Sequence, residues 1–161
     1  MKPVNLFTVE TRTDPDDPPG YRAGARKLAP LIGAQRIGAS AYDLPPGESV
    51  CPYHFEFGSE EWLLVLTGRP TLRRADGDGE LEEVLEPGDT VCFPPGPSGA
   101  HKVTNTTAER SRIVMFSTVP EADVDISYYP DSEKYGVWPG HGKPGFLVRR
   151  ENGVDYYDGE A

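Results

Sequence analysis

Turn-forming residues recur along this chain at such short intervals that little besides short strands fits between them. Leu44-Pro45-Pro46-Gly47, Gly68-Arg69-Pro70, Asp76-Gly77-Asp78-Gly79, Glu86-Pro87-Gly88-Asp89 and the run from Pro94 to Gly99 each end whatever precedes them. Proline fixes φ and removes a donor, and glycine admits the left-handed region. The intervals hold apolar and β-branched residues, predicting strands near 4–9, 34–42, 53–57, 61–67, 71–74, 81–85, 90–93, 100–105 and 112–119. Ile113-Val114-Met115-Phe116 reads as buried on both sides. The Asp-Gly steps at 76–79 are the strongest hairpin signal, because such steps tolerate positive φ. No segment before residue 120 keeps a helical period over three turns. The expected fold class is all-β, a sandwich or small barrel.

The remainder differs. Residues 120–161 carry Tyr128, Tyr129, Tyr135, Trp138, Phe146, Tyr156 and Tyr157, seven of the chain's 16 aromatic residues. Disordered tails are poor in aromatics, so this extension is expected to pack on the body. The segment from Tyr128 to Lys134 is read as ordinary packing around an Asp-Ser turn in preference to a lid. The predicted organisation is an N-terminal arm with one strand and an acidic, proline-rich link over 1–33, the barrel over 34–119 and an irregular extension over 120–161, one structural domain overall. A net charge of −10 makes nucleic acid and anionic membrane poor partners. The N-terminus shows no apolar segment of signal-peptide length, and the longest uninterrupted apolar run, Trp62 to Leu66, is too short for a bilayer, so a cytoplasmic protein is expected. Cys51 and Cys92 are read as buried thiols, neither paired nor nucleophilic.

Chemistry concentrates in two stretches. In the first, His54 and Glu56 lie two apart and project from the same face of a strand. Glu60 and Glu61 stand at the mouth of the next strand, and Gly68 closes it. In the second, Gly88, Pro94 and Gly96 lead to His101 and Asn105. Together these resemble the two motifs of the cupin family: Gly47, His54, Glu61 and Gly68 hold first-motif places, and Gly88, Pro94, Gly96, His101 and Asn105 hold second-motif places. There are departures. Glu56 occupies the place of the second histidine, Gly47 lies one residue further from His54 than the pattern asks, and the loop before His101 is two residues longer. The resemblance implies a double-stranded β-helix barrel of jelly-roll type, a divalent metal inside it, and often a homodimer.

The expected metal ligands are His54, Glu56, Glu61 and His101, with Glu56 alternatively a general base or an acceptor behind the ligands. Two imidazoles and two carboxylates form a harder set than the family's three histidines and one glutamate, favouring iron(II), manganese or nickel, with zinc possible in vitro. Glu60 is read as solvated, His141 as a loop histidine, and Tyr53 and Asn105 as packing or bonding locally. Asp76, Asp78, Glu80, Glu82 and Glu83 form a solvated hairpin face, not a calcium loop. Two functions are open: a metal-dependent oxygenase, isomerase or lyase acting on a small oxygen-bearing molecule, or a non-catalytic metal or small-ligand binding protein, such as a sensor. The fold alone does not choose between them.

Overall fold

The computed structural model describes residues 2–118, 124–139 and 143–160. Its strands are β1 (Gly24–Lys27), β2 (Ile37–Leu44), β3 (Phe55–Glu56), β4 (Glu61–Thr67), β5 (Thr71–Asp76), β6 (Gly79–Val84), β7 (Thr90–Phe93), β8 (His101–Thr104), β9 (Ser111–Thr118), β10 (Asp125–Tyr129), β11 (Lys134–Trp138) and β12 (Phe146–Arg149). A single helical turn, α1 (Ala29–Ile32), links β1 to β2 and ends on Gly33 in the left-handed region. No helix among the described residues is long and apolar enough to cross a membrane.

All pairing is antiparallel. One sheet runs β1-β2-β9-β4-β7. Facing it is β6-β5-β8, prolonged by two isolated bridges, Ser49 to Thr104 and His54 to His101, that bring the segment before β3 alongside β8. β3 in turn starts a third sheet, β12-β11-β10-β3. The core fills the space between the layers: Leu63, Val65, Ile113 and Leu44 from the first sheet meet Leu72 and Val103 from the second, each at most 1% exposed. Strand alternation dictates this. In β4, Leu63 and Val65 point inward while Trp62 points out and stacks on Phe116 of β9, ring centroids 4.7 Å apart.

On its inner face the five-stranded sheet changes character along its length. Tyr42, Leu44, Ile113, Leu63 and Val65 occupy the apolar end. Toward the other end the same face carries Gly38, Ser40, Ser117 and Glu61, with Gly38 opposite Ser117 and Ser117 opposite Glu61 in register. A polar end on an otherwise apolar face leaves a place where a polar ligand can be met.

The all-β expectation is met, and Asp76 pairs with Gly79 across the two-residue Gly77-Asp78 loop, as the Asp-Gly signal predicts. Three expectations are corrected. Residues 4–9 form a turn, not a strand: the Asn5 side chain accepts from the Phe7 amide and the Asn5 carbonyl accepts from Val9, so local Asx bonding outcompetes a ladder. The N-terminal strand is β1 instead. The extension is not irregular, since β10, β11 and β12 give it a sheet built onto β3. Cys92 is exposed, because on β7 it alternates with the inward-facing Val91 and Phe93; both cysteines are free.

Candidate metal centre

The prolines of the two motif stretches shape the loops that deliver two histidines to one point. Pro97–Gly99 forms a 3₁₀ turn that absorbs the extra length before His101, and a side chain at Gly99 would collide with the Pro94 carbonyl. At the far end of β4, Gly68 has φ +78°, and a Cβ there would lie 2.6 Å from the Ser111 Cα. Both glycines allow close approaches that no other residue permits.

His54 and His101 then pair directly. The His54 amide donates to the His101 carbonyl at 3.1 Å, and the His101 amide donates back at 2.9 Å. In such a reciprocal antiparallel pair the two side chains leave on the same side. Residues 47 positions apart thereby place their ring centroids 4.9 Å apart. Each ring is also locked in the same way: Nδ1 of His54 donates to the Pro52 carbonyl at 3.0 Å, and Nδ1 of His101 to the Gly99 carbonyl at 2.9 Å. A carbonyl only accepts, so both Nδ1 atoms carry the proton and both Nε2 atoms present a lone pair. Phe93 stacks on His101 at 3.7 Å between centroids, and Tyr129 stacks on His54 at 5.5 Å.

Glu61, at the start of β4, faces these lone pairs. Its Oε2 lies 3.5 Å from His101 Nε2 and 3.9 Å from His54 Nε2. The three donor atoms fall within 4.8 Å of one another. His101 Nε2 is buried and has no hydrogen-bond partner, despite its closeness to Glu61. Burial lowers both imidazoles below their ordinary value, His101 to about 3 with the neighbouring His54 adding to the effect, so neither is a cation for the carboxylate. Burial, and after it Asp125, raises the Glu61 carboxyl. Two imidazole lone pairs and a carboxylate oxygen converge, and none of the three groups finds an ordinary hydrogen bond to another. A divalent cation fits that arrangement, and little else offsets the cost of burying it.

Among the sequence-predicted residues, the structure therefore brings His54, Glu61 and His101 together. Glu56 shares the strand face of His54 but stands outside this trio, beside Asp125 and Ser59, where burial and then Glu61 and Asp125 raise its carboxyl. Glu60 is exposed, as expected. Asn105 is fully buried and bonds locally: its amide nitrogen donates to the Leu44 and Glu109 carbonyls, while its oxygen accepts from Thr107. Tyr53 packs against Arg73. His141 lies outside the described residues. Three neighbours escaped the sequence reading. Asp125 accepts from Ser59 Oγ and from the Gly58 amide at 3.1 Å. Tyr129 comes from the segment read as plain packing. Tyr42 lies near Cys51 and Glu61. The alternation Asp125-Ile126-Ser127 was the signal available for the first two.

The family model described as a cupin domain matches residues 41–117. Residues 41–117 are thus a cupin domain, and the chain has the cupin fold. Solved structures agree with that fold for this cupin. A sugar phosphate isomerase of the cupin superfamily from Silicibacter pomeroyi is 20% identical, with 98% of each chain covered and a TM-score of 0.76. A proposed sugar phosphate isomerase from Acidithiobacillus ferrooxidans is 23% identical, covering 93% of this cupin and 91% of that protein, with a TM-score of 0.75. The polyketide cyclase RemF from Streptomyces resistomycificus is 24% identical over 73% of this cupin and 79% of that chain, with a TM-score of 0.58. At these identities the likeness is one of fold. No curated protein matches the chain.

Proposed function

We propose that this cupin is a metal-dependent enzyme acting on a small oxygen-bearing molecule, with His54, Glu61 and His101 as the metal ligands. The observation that carries the reading is the convergence of two Nε2 lone pairs on one Glu61 oxygen, with His101 Nε2 buried and unpartnered. Two histidines and one carboxylate favour iron(II), with manganese and nickel as alternatives of similar preference, and leave positions open for a substrate. A saturated four-ligand set would favour mere storage or sensing; here Glu56 is left over, which favours catalysis. When bound, the metal would polarise a carbonyl or hydroxyl oxygen of the substrate. Glu56, raised by burial and by its acidic neighbours, is then placed to accept and return a proton. Asp125, which accepts from Ser59, stands beside the Glu56 carboxyl, and Tyr129 keeps water off one face of His54. Among oxygenase, isomerase and lyase chemistry, isomerisation comes first, because the two nearly full-length structural relatives above carry that name.

Elemental analysis of purified wild type beside His54→Ala and His101→Ala tests the ligand set. About one transition metal per chain is expected in wild type and none in the variants; wild type that neither holds nor takes up metal overturns the reading. Glu56→Gln should retain metal and lose turnover. Loss of metal in that variant would return Glu56 to the ligand shell.

A further inference from the structure

We infer that the cavity beside Glu61 is a binding pocket for a small hydroxylated oxyanion, a carboxylate or a phosphate, with Lys27 as the residue that recognises its charge. The cavity is about 370 Å³ and is lined by Lys27, Gly38, Ser40, Tyr42, Glu61 and Ser117, among others. That size suits a small metabolite.

Its polar groups come from neighbouring places on the sheet. Lys27 lies opposite Ser40 across β1 and β2, and Gly38 lies opposite Ser117 across β2 and β9. Glu61 follows next to Ser117 on β4. Antiparallel partners project to the same side, so an ammonium, two hydroxyls and one carboxylate edge share a wall. Gly38 keeps that wall open, since a Cβ there would collide with the Ser117 hydroxyl. Tyr42 completes it from two residues beyond Ser40. A phenol is protonated at neutral pH, so Tyr42 can donate.

Charge selects the ligand. Lys27 is the cation among the described residues of the lining, and Glu61 is its one carboxylate. The inference rests on the metal reading in one respect: two neutral imidazoles and one carboxylate leave a bound dication with a net positive charge, so Glu61 would be committed to the metal. The pocket then offers positive charge at both ends and hydroxyl donors between them, on a chain whose net charge is −10. An anion drawn to Lys27 places its own hydroxyl or carbonyl toward Glu61. A lysine ammonium is a point charge and accepts either a carboxylate or a phosphate.

Calorimetric titration of the manganese-loaded protein tests this, with glycerate, glycerol 3-phosphate and glycerol as probes and metal content fixed beforehand by elemental analysis. At least one anionic probe should bind and neutral glycerol should not; the tighter anion identifies the carboxylate or the phosphate source. Lys27→Met should weaken that anion about ten- to a hundredfold, as loss of a charge-assisted contact does. Lys27→Arg should largely restore it. Lys143→Met, an exposed lysine outside the lining, should leave it unchanged. Equal binding of glycerol and the anions, or Lys27→Met indistinguishable from wild type, overturns the pocket. Failure to load manganese, iron(II) or nickel instead brings down the metal centre alone; the same Lys27 comparison on the metal-free protein then decides the pocket.

Discussion

The two halves of the site are held with very different firmness. The donor trio sits on the body: His101 is 2% exposed, its ring stacks on Phe93, and β4 and β9 pair along nearly their whole length. The Asp125 and Tyr129 side of the site belongs to the third sheet. That sheet joins the body along one short edge, where Glu56 pairs with Ser127 and Phe55 with Tyr128, the Phe57 amide donates to the Ile126 carbonyl, and Asp125 accepts from Gly58 and Ser59. Its outer strand β12 is exposed on both faces, with Phe146 56% and Leu147 54% exposed. A second tie is the Arg73 guanidinium, which donates to both Asp131 oxygens at 2.7 and 2.9 Å and to both Glu80 oxygens. The body thus fixes where the donors stand, while the extension supplies what surrounds them.

If that division is right, metal retention separates the halves most sharply. His101→Ala should abolish retention, whereas Tyr129→Ala should weaken it about tenfold, the scale of losing a supporting neighbour. Equal losses, measured by competition with a chelator, would erase the distinction.

Stability should divide along the same line. Leu63→Ala removes a fully buried side chain and should cost about 2–5 kcal/mol in denaturant unfolding. Phe146→Ala on β12 should stay within about 0.5 kcal/mol. A large cost at Phe146 would mean that the outer strand is covered in solution.

The dependence on pH sharpens the contrast further. In metal-free protein the Glu56 and Glu61 carboxyls are raised above their ordinary 4.5, so their contribution is complete below that value and is lost as pH rises through their raised values. The two imidazoles are lowered from 6.5, so their contribution is complete above that value and is lost as pH falls toward their lowered values. Thermal unfolding of metal-free protein should therefore be most favourable to the fold between about 4.5 and 6.5, and added manganese should flatten the fall on the alkaline side. Phe146→Ala should leave the profile unchanged in shape.

The smallest effect belongs to the tie. Arg73→Met exposes little and breaks partly solvated pairs, so global stability should fall by about 1 kcal/mol or less. Hydrogen exchange should nevertheless speed up in β10 and β11 while β4 and β9 stay protected.

The same division explains what could be read from the residues alone. His54, Glu61 and His101 were legible because their spacing records turns whose geometry is local: a glycine at a left-handed position and a proline loop announce themselves. The hairpin at Asp76 to Gly79 was legible for the same reason. Glu56 was placed on the correct strand face, but which carboxyl meets the imidazoles depends on where β4 lies against β8, which no local pattern encodes. Asp125 and Tyr129 reach the site through pairing between β10 and β3, across some 70 residues of chain. The turn at Asn5 was misread because apolar neighbours suggested a strand, while one side-chain amide decided the conformation.

The reciprocal amide pair between His54 and His101 makes this centre tolerant of some length changes and intolerant of others. A length change upstream of Gly99 leaves the alternation of the ladder itself unaltered. One residue inserted between Pro52 and His54, or between Gly99 and His101, shifts the count by one and turns a ring to the opposite surface, since alternation admits no intermediate. What descendants of this chain must keep is the parity with which the two loops return to the ladder.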